Sequence, residues 1–182
     1  MDRDIIISAV QKAKKGIGQY VEIMDLLGRV DVSKSPEFQK KFNAFYRIRQ
    51  RPATWYECYY SFLQESKNAV PSFNQTIEYF NVSLGRYEPS FSSKLVATLN
   101  PNKPIWDIYI IENTGHKAPA YTDKHKIKLA KEIYASIEGW YENFIKSNIG
   151  KLYVQVFDDI VPEHNKITTL KKIDFILWQI RH

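Results

Sequence analysis

The chain has 182 residues, 44% hydrophobic and 14% aromatic, with seven glycines and eight prolines. That length favours one domain spanning 1–182, and the composition excludes a disordered chain, a low-complexity array and a loop-rich sandwich. The net charge is +6, but Lys/Arg outnumber Asp/Glu by 13 to 10 in residues 1–91 and again in 92–182, so there is no basic tail and any cationic patch must be assembled by folding.

In chain order, Ile5, Ile6, Ala9, Val10 and Ala13 predict a helix over Asp4–Lys15, ended by Gly16 and Gly18. A short helix over Gln19–Leu27 follows, closed by Gly28. Ser35-Pro36-Glu37 reads as an N-cap, a first-turn proline and a first-turn acid opening a helix to about Ile48. Thr54–Glu57 and Ser72–Gln75 both have the capping-box form, starting helices that end near Lys67 and Asn81. Pro89-Ser90 introduces a helix to Leu99, halted by Asn100-Pro101, and Pro104 starts another to Asn113. The longest candidate covers Thr122–Asn148, with Gly139 able to divide it and Gly150 as its stop. Lys151–Asp158 fits a strand, a linker or a short helix equally well. A closing helix runs from about Thr168 to Arg181, with Leu170, Ile173, Leu177 and Ile180 on one face. About eight helices with short capped loops predict a single compact all-α domain.

No apolar run approaches the ~20 residues that span a bilayer. Asp2 and Asp4 precede Ile5–Ile7 and lysines follow, the reverse of a secretory signal. Cys58 is the only cysteine, so no disulfide closes within the chain. Asn74-Gln75-Thr76 and Asn81-Val82-Ser83 match glycosylation sequons that are short enough to arise by chance. The expectation is a cytoplasmic protein with no membrane partner.

Four scattered histidines (His116, His125, His164, His182) show no metal-ligand spacing, and Glu138 and Glu142 share a helix face without an accompanying histidine. Gly16-Ile17-Gly18 lacks the third glycine of a dinucleotide fingerprint, and no phosphate loop or Gly-x-Ser-x-Gly elbow occurs. No metal and no cofactor are therefore expected. Trp55, Tyr56, Tyr59, Tyr60 and Phe62, at helical spacing, read as core, with base stacking as the alternative. Arg47 and Arg51 lie four apart and share the expected helix face. Lys124, Lys128 and Lys131 form a basic stripe that reads as a solvated face, with phosphate contact as the alternative. Asp174, between Ile173 and Phe175, reads as a capping or salt-bridged structural acid, with Lys171 as the candidate partner.

The run from Glu88 to Tyr109 is the most singular stretch. Ser90, Ser92 and Ser93 cluster at a helix N-terminus, where free amides and the positive dipole end favour an anion. Lys94 follows in what reads as the first turn, and like-sign surroundings with partial burial lower a lysine pKa, as an amine nucleophile requires. Asp107 falls in the first turn after Pro104, where the dipole favours a carboxylate. A lysine in one short helix and an aspartate opening the next, set in an all-α chain, resembles the helix-hairpin-helix DNA glycosylase superfamily. The resemblance implies that Lys94 forms a Schiff base with the sugar C1′, that Asp107 assists by electrostatics or proton transfer, and that DNA is the partner, with a damaged base flipped from the duplex. Pro89-Ser90-Phe91-Ser92-Ser93 stands where that superfamily has hairpin glycines, and 13 residues separate Lys94 from Asp107. With Phe45–Arg49 and Lys171–Gln179, the same stretch also resembles a group of uncharacterised bacterial proteins. Non-catalytic nucleic-acid binding and a helical protein–protein module are the alternatives.

Overall fold

The computed structural model describes residues 3–180; the expectations placed on Asp2, Arg181 and His182 lie outside them. An apolar stripe from Ile6 through Ala13, Ile17, Tyr20 and Ile23 to Leu26 runs on through the glycines, and α1 is accordingly one helix, Arg3–Arg29. The expected breaks at Gly16 and Gly18 do not occur, and the helix ends at Arg29, one residue past the Gly28 expected to close it. Each glycine costs a helix about 1 kcal/mol relative to alanine, whereas burying a side chain as large as Ile23 contributes ~1.5–3 kcal/mol. Tertiary burial wins.

Helix α2 (Pro36–Phe45) starts at Ser35, whose Oγ accepts from the Phe38 amide at 3.3 Å. It ends three residues before Ile48, because Arg47 (φ 54°) and Gln50 (φ 56°) adopt left-handed backbone that no α-helix contains. Helix α3 (Ala53–Glu65) begins after Pro52, which places Thr54 inside the helix, so the capping box expected at Thr54–Glu57 does not form. The Ser72–Gln75 box does form, in both directions, at the start of α4 (Phe73–Leu84), which Gly85 closes at φ 61°. Helix α5 spans Pro89–Leu99 as expected. Helix α6 (Ile108–Asn113) begins four residues after Pro104, and Asp107 is its N-cap rather than a first-turn residue.

Helix α7 (Lys126–Lys146) passes through Gly139, and α8 (Asn148–Ile160) takes in the whole of Lys151–Asp158. Gly150 is no stop. It is buried inside α8 where a Cβ would collide with the Phe144 carbonyl, so the corner between α7 and α8 closes only around a glycine. After a short 3-10 turn (His164–Lys166), α9 (Thr169–Gln179) is capped by Thr168 Oγ1, which accepts from the Lys171 amide at 3.3 Å. The fold is all-α, with nine α-helices and no strand among the described residues.

Two apolar clusters share α1. Its first two-thirds pack with side chains of α6, α7, α8 and α9, and its end, Ile23 and Leu26, joins Phe38, Phe42, Trp55, Tyr59, Tyr60, Phe80 and Leu95. Trp55, Tyr59 and Tyr60 are thus core residues, with Trp55 stacked on Tyr59. Two helices are buried nearly all round: α5 from Ser92 to Thr98 and α9 from Leu170 to Leu177. A helix enclosed on every side must accommodate its polar residues internally. The polar residues of these two helices build the site.

Candidate active site

The three serines of α5 turn inward. Ser92 Oγ donates to the Glu88 carbonyl at 2.8 Å, and Ser93 Oγ donates to the Ser90 carbonyl at 2.9 Å while accepting from the buried Trp106 amide at 2.7 Å. Ser92 and Ser93 are fully buried and hold backbone together. Ser90 Oγ alone meets Lys94, accepting from its Nζ at 3.0 Å.

Lys94 lies in the second turn of α5, one turn later than expected, and is 8% exposed. Its ammonium sits 5.1 Å from the Phe91 ring centre and 5.8 Å from that of Tyr46. Burial pushes its pKa down to about 8; Asp107 opposes that shift and Arg47 adds to it. Asp107 comes from the loop before α6, and its Oδ1 accepts from the Tyr109 amide at 3.1 Å, which fixes the carboxylate's orientation.

Lys94 and Asp107 line one cavity of about 340 Å³, at the small end of the ~300–1,000 Å³ of small-molecule sites. Its walls are largely aromatic, with Phe45, Tyr46, Phe91 and Trp178 among them. Lys171 and Asp174 of α9 close one side: Lys171 Nζ lies 2.6 Å from Asp174 Oδ2, and both are almost fully buried. Tyr141 OH donates to Asp174 Oδ1 at 2.8 Å. Burial alone lowers the Lys171 pKa, but Asp174, with Tyr46 and Tyr20, more than reverses this and holds it above the ordinary lysine value. The expected Lys171–Asp174 pair therefore exists, and it faces the cavity.

Arg47 also lines the cavity, its guanidinium 5.5 Å from the Trp178 ring centre. Arg51 does not. It pairs with the buried Glu88 carboxylate at 3.4 Å and lies over Phe91 at 4.9 Å, behind the wall. The helix face expected to join the two arginines is absent, because α2 ends at Phe45 and neither arginine is helical. Lys124, Lys128 and Lys131 all lie away from the cavity: Lys131 pairs with Glu78 of α4, Lys128 is 3.9 Å from Glu132, and Lys124 is exposed.

Sequence reasoning missed Tyr46 and Trp178 as wall residues. One signal was available, since Lys171, Asp174, Phe175 and Trp178 fall at spacings of three and four on one face of α9. Of the histidines, His116 bonds to Thr114 Oγ1 and Ser136 Oγ, and His164 lies 3.4 Å from Asp158. No cluster of three metal-ligating side chains occurs among the described residues, and none of their helices is long and apolar enough to cross a membrane. In comparisons with known proteins, no family model, curated protein or solved structure matches the chain.

Proposed function

We propose that this protein binds DNA and acts on it as a base-excision glycosylase/lyase, with Lys94 as the amine nucleophile and Asp107 as the assisting carboxylate. The observation that carries the reading is the meeting of Lys94 and Asp107 in one small aromatic-walled cavity, from different elements 13 residues apart. A flat base fits between aromatic walls, and a buried amine beside a carboxylate is the pair that sugar chemistry at C1′ needs.

With a pKa near 8, roughly a tenth of Lys94 amines are neutral at pH 7, against fewer than about one in a thousand for an ordinary lysine. The neutral amine places its lone pair on C1′ as the N-glycosidic bond breaks, and the base departs with the bonding pair and takes up a proton. The new C1′ ammonium loses a proton, its lone pair expels O4′, which keeps the bonding pair and takes up a proton, and the opened ring is left as an iminium between Lys94 Nζ and C1′. Asp107 stabilises the positive charge that develops at C1′ and can accept the proton that the amine sheds. Arg47 at the wall offers a charge to a neighbouring phosphate.

Borohydride reduces such an iminium to a stable amine. Incubated with abasic-site duplex and borohydride, the native chain is expected to give a covalent protein–DNA adduct that Lys94→Ala does not form. An equal adduct from Lys94→Ala overturns the assignment. No adduct, with salt-sensitive DNA binding that Lys94→Ala retains, would instead identify a non-catalytic nucleic-acid binder.

A further inference from the structure

The hydrogen bond between Ser90 and Lys94 joins two cavities. Lys94 lines the first, of about 340 Å³, whereas Ser90 lines a second, open one of about 440 Å³ and not the first. The two residues stand four apart in α5, so one turn of helix holds Oγ and Nζ on the same face at 3.0 Å. Ser92 and Ser93 are enclosed, and their hydroxyl protons are committed to backbone carbonyls. Ser90 is only half-buried, and its hydroxyl is the one that meets an amine.

A serine hydroxyl is a weak nucleophile until a base takes its proton. As an ammonium, Lys94 donates to Ser90 Oγ; as a neutral amine, it offers a lone pair to the same hydroxyl and accepts from it. Burial favours that neutral form, bringing the lysine pKa down to about 8. Acyl transfer also needs donors for the developing oxyanion. Glu88, the N-cap of α5, makes no side-chain cap hydrogen bond, and Pro89 at the first position has no amide hydrogen. The amides of Ser90 and Phe91 therefore open the helix without a capping side chain. The Phe91 amide follows the serine, as one oxyanion donor follows the nucleophile in a hydrolase elbow.

Beyond the reaction on DNA, we propose that Ser90 and Lys94 form a Ser–Lys dyad that hydrolyses esters of small apolar acyl groups bound in the second cavity. Trp106, Ile108, Ile111 and Ala118 give that cavity its apolar lining, and its volume of about 440 Å³ lies within the ~300–1,000 Å³ of small-molecule sites. Ser90 Oγ attacks the ester carbonyl carbon while Lys94 Nζ takes the hydroxyl proton, and the π pair moves onto the carbonyl oxygen. That pair then re-forms the carbonyl, and the alcohol leaves with the C–O bonding pair and the proton held at Nζ. Water attacks the acyl-serine by the same route, giving a proton to Nζ. Collapse releases the carboxylic acid and returns that proton to Oγ.

A fluorophosphonate probe tests the dyad, because an activated serine displaces its fluoride and keeps the phosphonyl group. Mass analysis of the native chain should place the label on Ser90, and p-nitrophenyl butyrate should be hydrolysed with an initial acylation burst. Ser90→Ala should show neither. Lys94→Arg keeps a cation beside Ser90 but has no neutral form to accept the proton, and it should be labelled at least about a hundredfold more slowly. Lys94→Met, which has no charge to bury, should be equally slow. A native chain left unlabelled, a label on another residue, or a native rate in either Lys94 variant overturns the dyad. Neither outcome requires that abasic-site DNA be trapped, so the dyad and the glycosylase/lyase reading fail separately.

Discussion

Ser93 Oγ accepts a hydrogen bond from the Trp106 amide at 2.7 Å, and both groups are buried. Their neighbours in sequence are Lys94 and Asp107, so this one bond sets the register that brings amine and carboxylate to the same cavity. The Ser93→Ala variant removes the acceptor and strands the amide, which costs about 1–3 kcal/mol in denaturant unfolding. Trapping by the folded variant should fall as well, because the Asp107 loop loses its tie to α5. An unchanged trapping rate would show that another contact holds the register.

Lys94 makes stability depend on pH in a known direction. Its folded pKa is about 8 and its ordinary value 10.5, so between those limits the unfolded chain binds the extra proton and stability rises with pH. Below pH 8 the cost is constant, roughly 3 kcal/mol. The stability of Lys94→Met, which has no charge to bury, should therefore exceed that of the native chain most below pH 8, with the gap narrowing between pH 8 and 10.5. Urea titrations at intervals across that range check it, and a constant gap would refute the shift. Trapping should likewise rise towards pH 8 and then level off, as the amine becomes neutral.

The Lys171–Asp174 pair is enclosed with Tyr141. Asp174→Asn leaves a buried ammonium without its counter-charge and should destabilise by about 3–5 kcal/mol. Replacing both, as Lys171→Met with Asp174→Leu, removes the charge as well as its partner and should recover most of that loss. A double variant less stable than Asp174→Asn would contradict this account of the pair.

Two glycines in helices should respond oppositely to alanine. Gly18, in α1, has open space around the Cβ position, so Gly18→Ala should stabilise by up to about 1 kcal/mol. Gly150 has the Phe144 carbonyl there instead, and Gly150→Ala should shift the α7–α8 corner at a cost of several kcal/mol. Thermal melts of the two variants are sufficient to distinguish them.

Much of the helical plan is legible in the sequence, because caps are local chemistry. Ser35 and Ser72 each accept from an amide three residues on, as their spacing indicates. The errors arise where tertiary burial overrides a local rule. Gly16 and Gly18 read as breakers, yet the stripe through Ile17 and Tyr20 carries α1 across them. Gly150 reads as a stop, yet its lack of a side chain serves a close approach between helices. The site was half visible. Lys94, Asp107 and the Lys171–Asp174 pair stand out as charges in apolar runs, but that α5 and α9 face one another across a cavity is a property of packing. The left-handed turns at Arg47 and Gln50, which take Arg51 away from that cavity, have no glycine to announce them.

The most direct measurement locates the covalent bond itself. After borohydride reduction with abasic-site duplex, proteolysis and mass analysis of the adduct should place the sugar remnant on the peptide containing Lys94, at Nζ. A remnant on Lys171, on a surface lysine or on the terminal amine, or no remnant at all, would contradict the central claim.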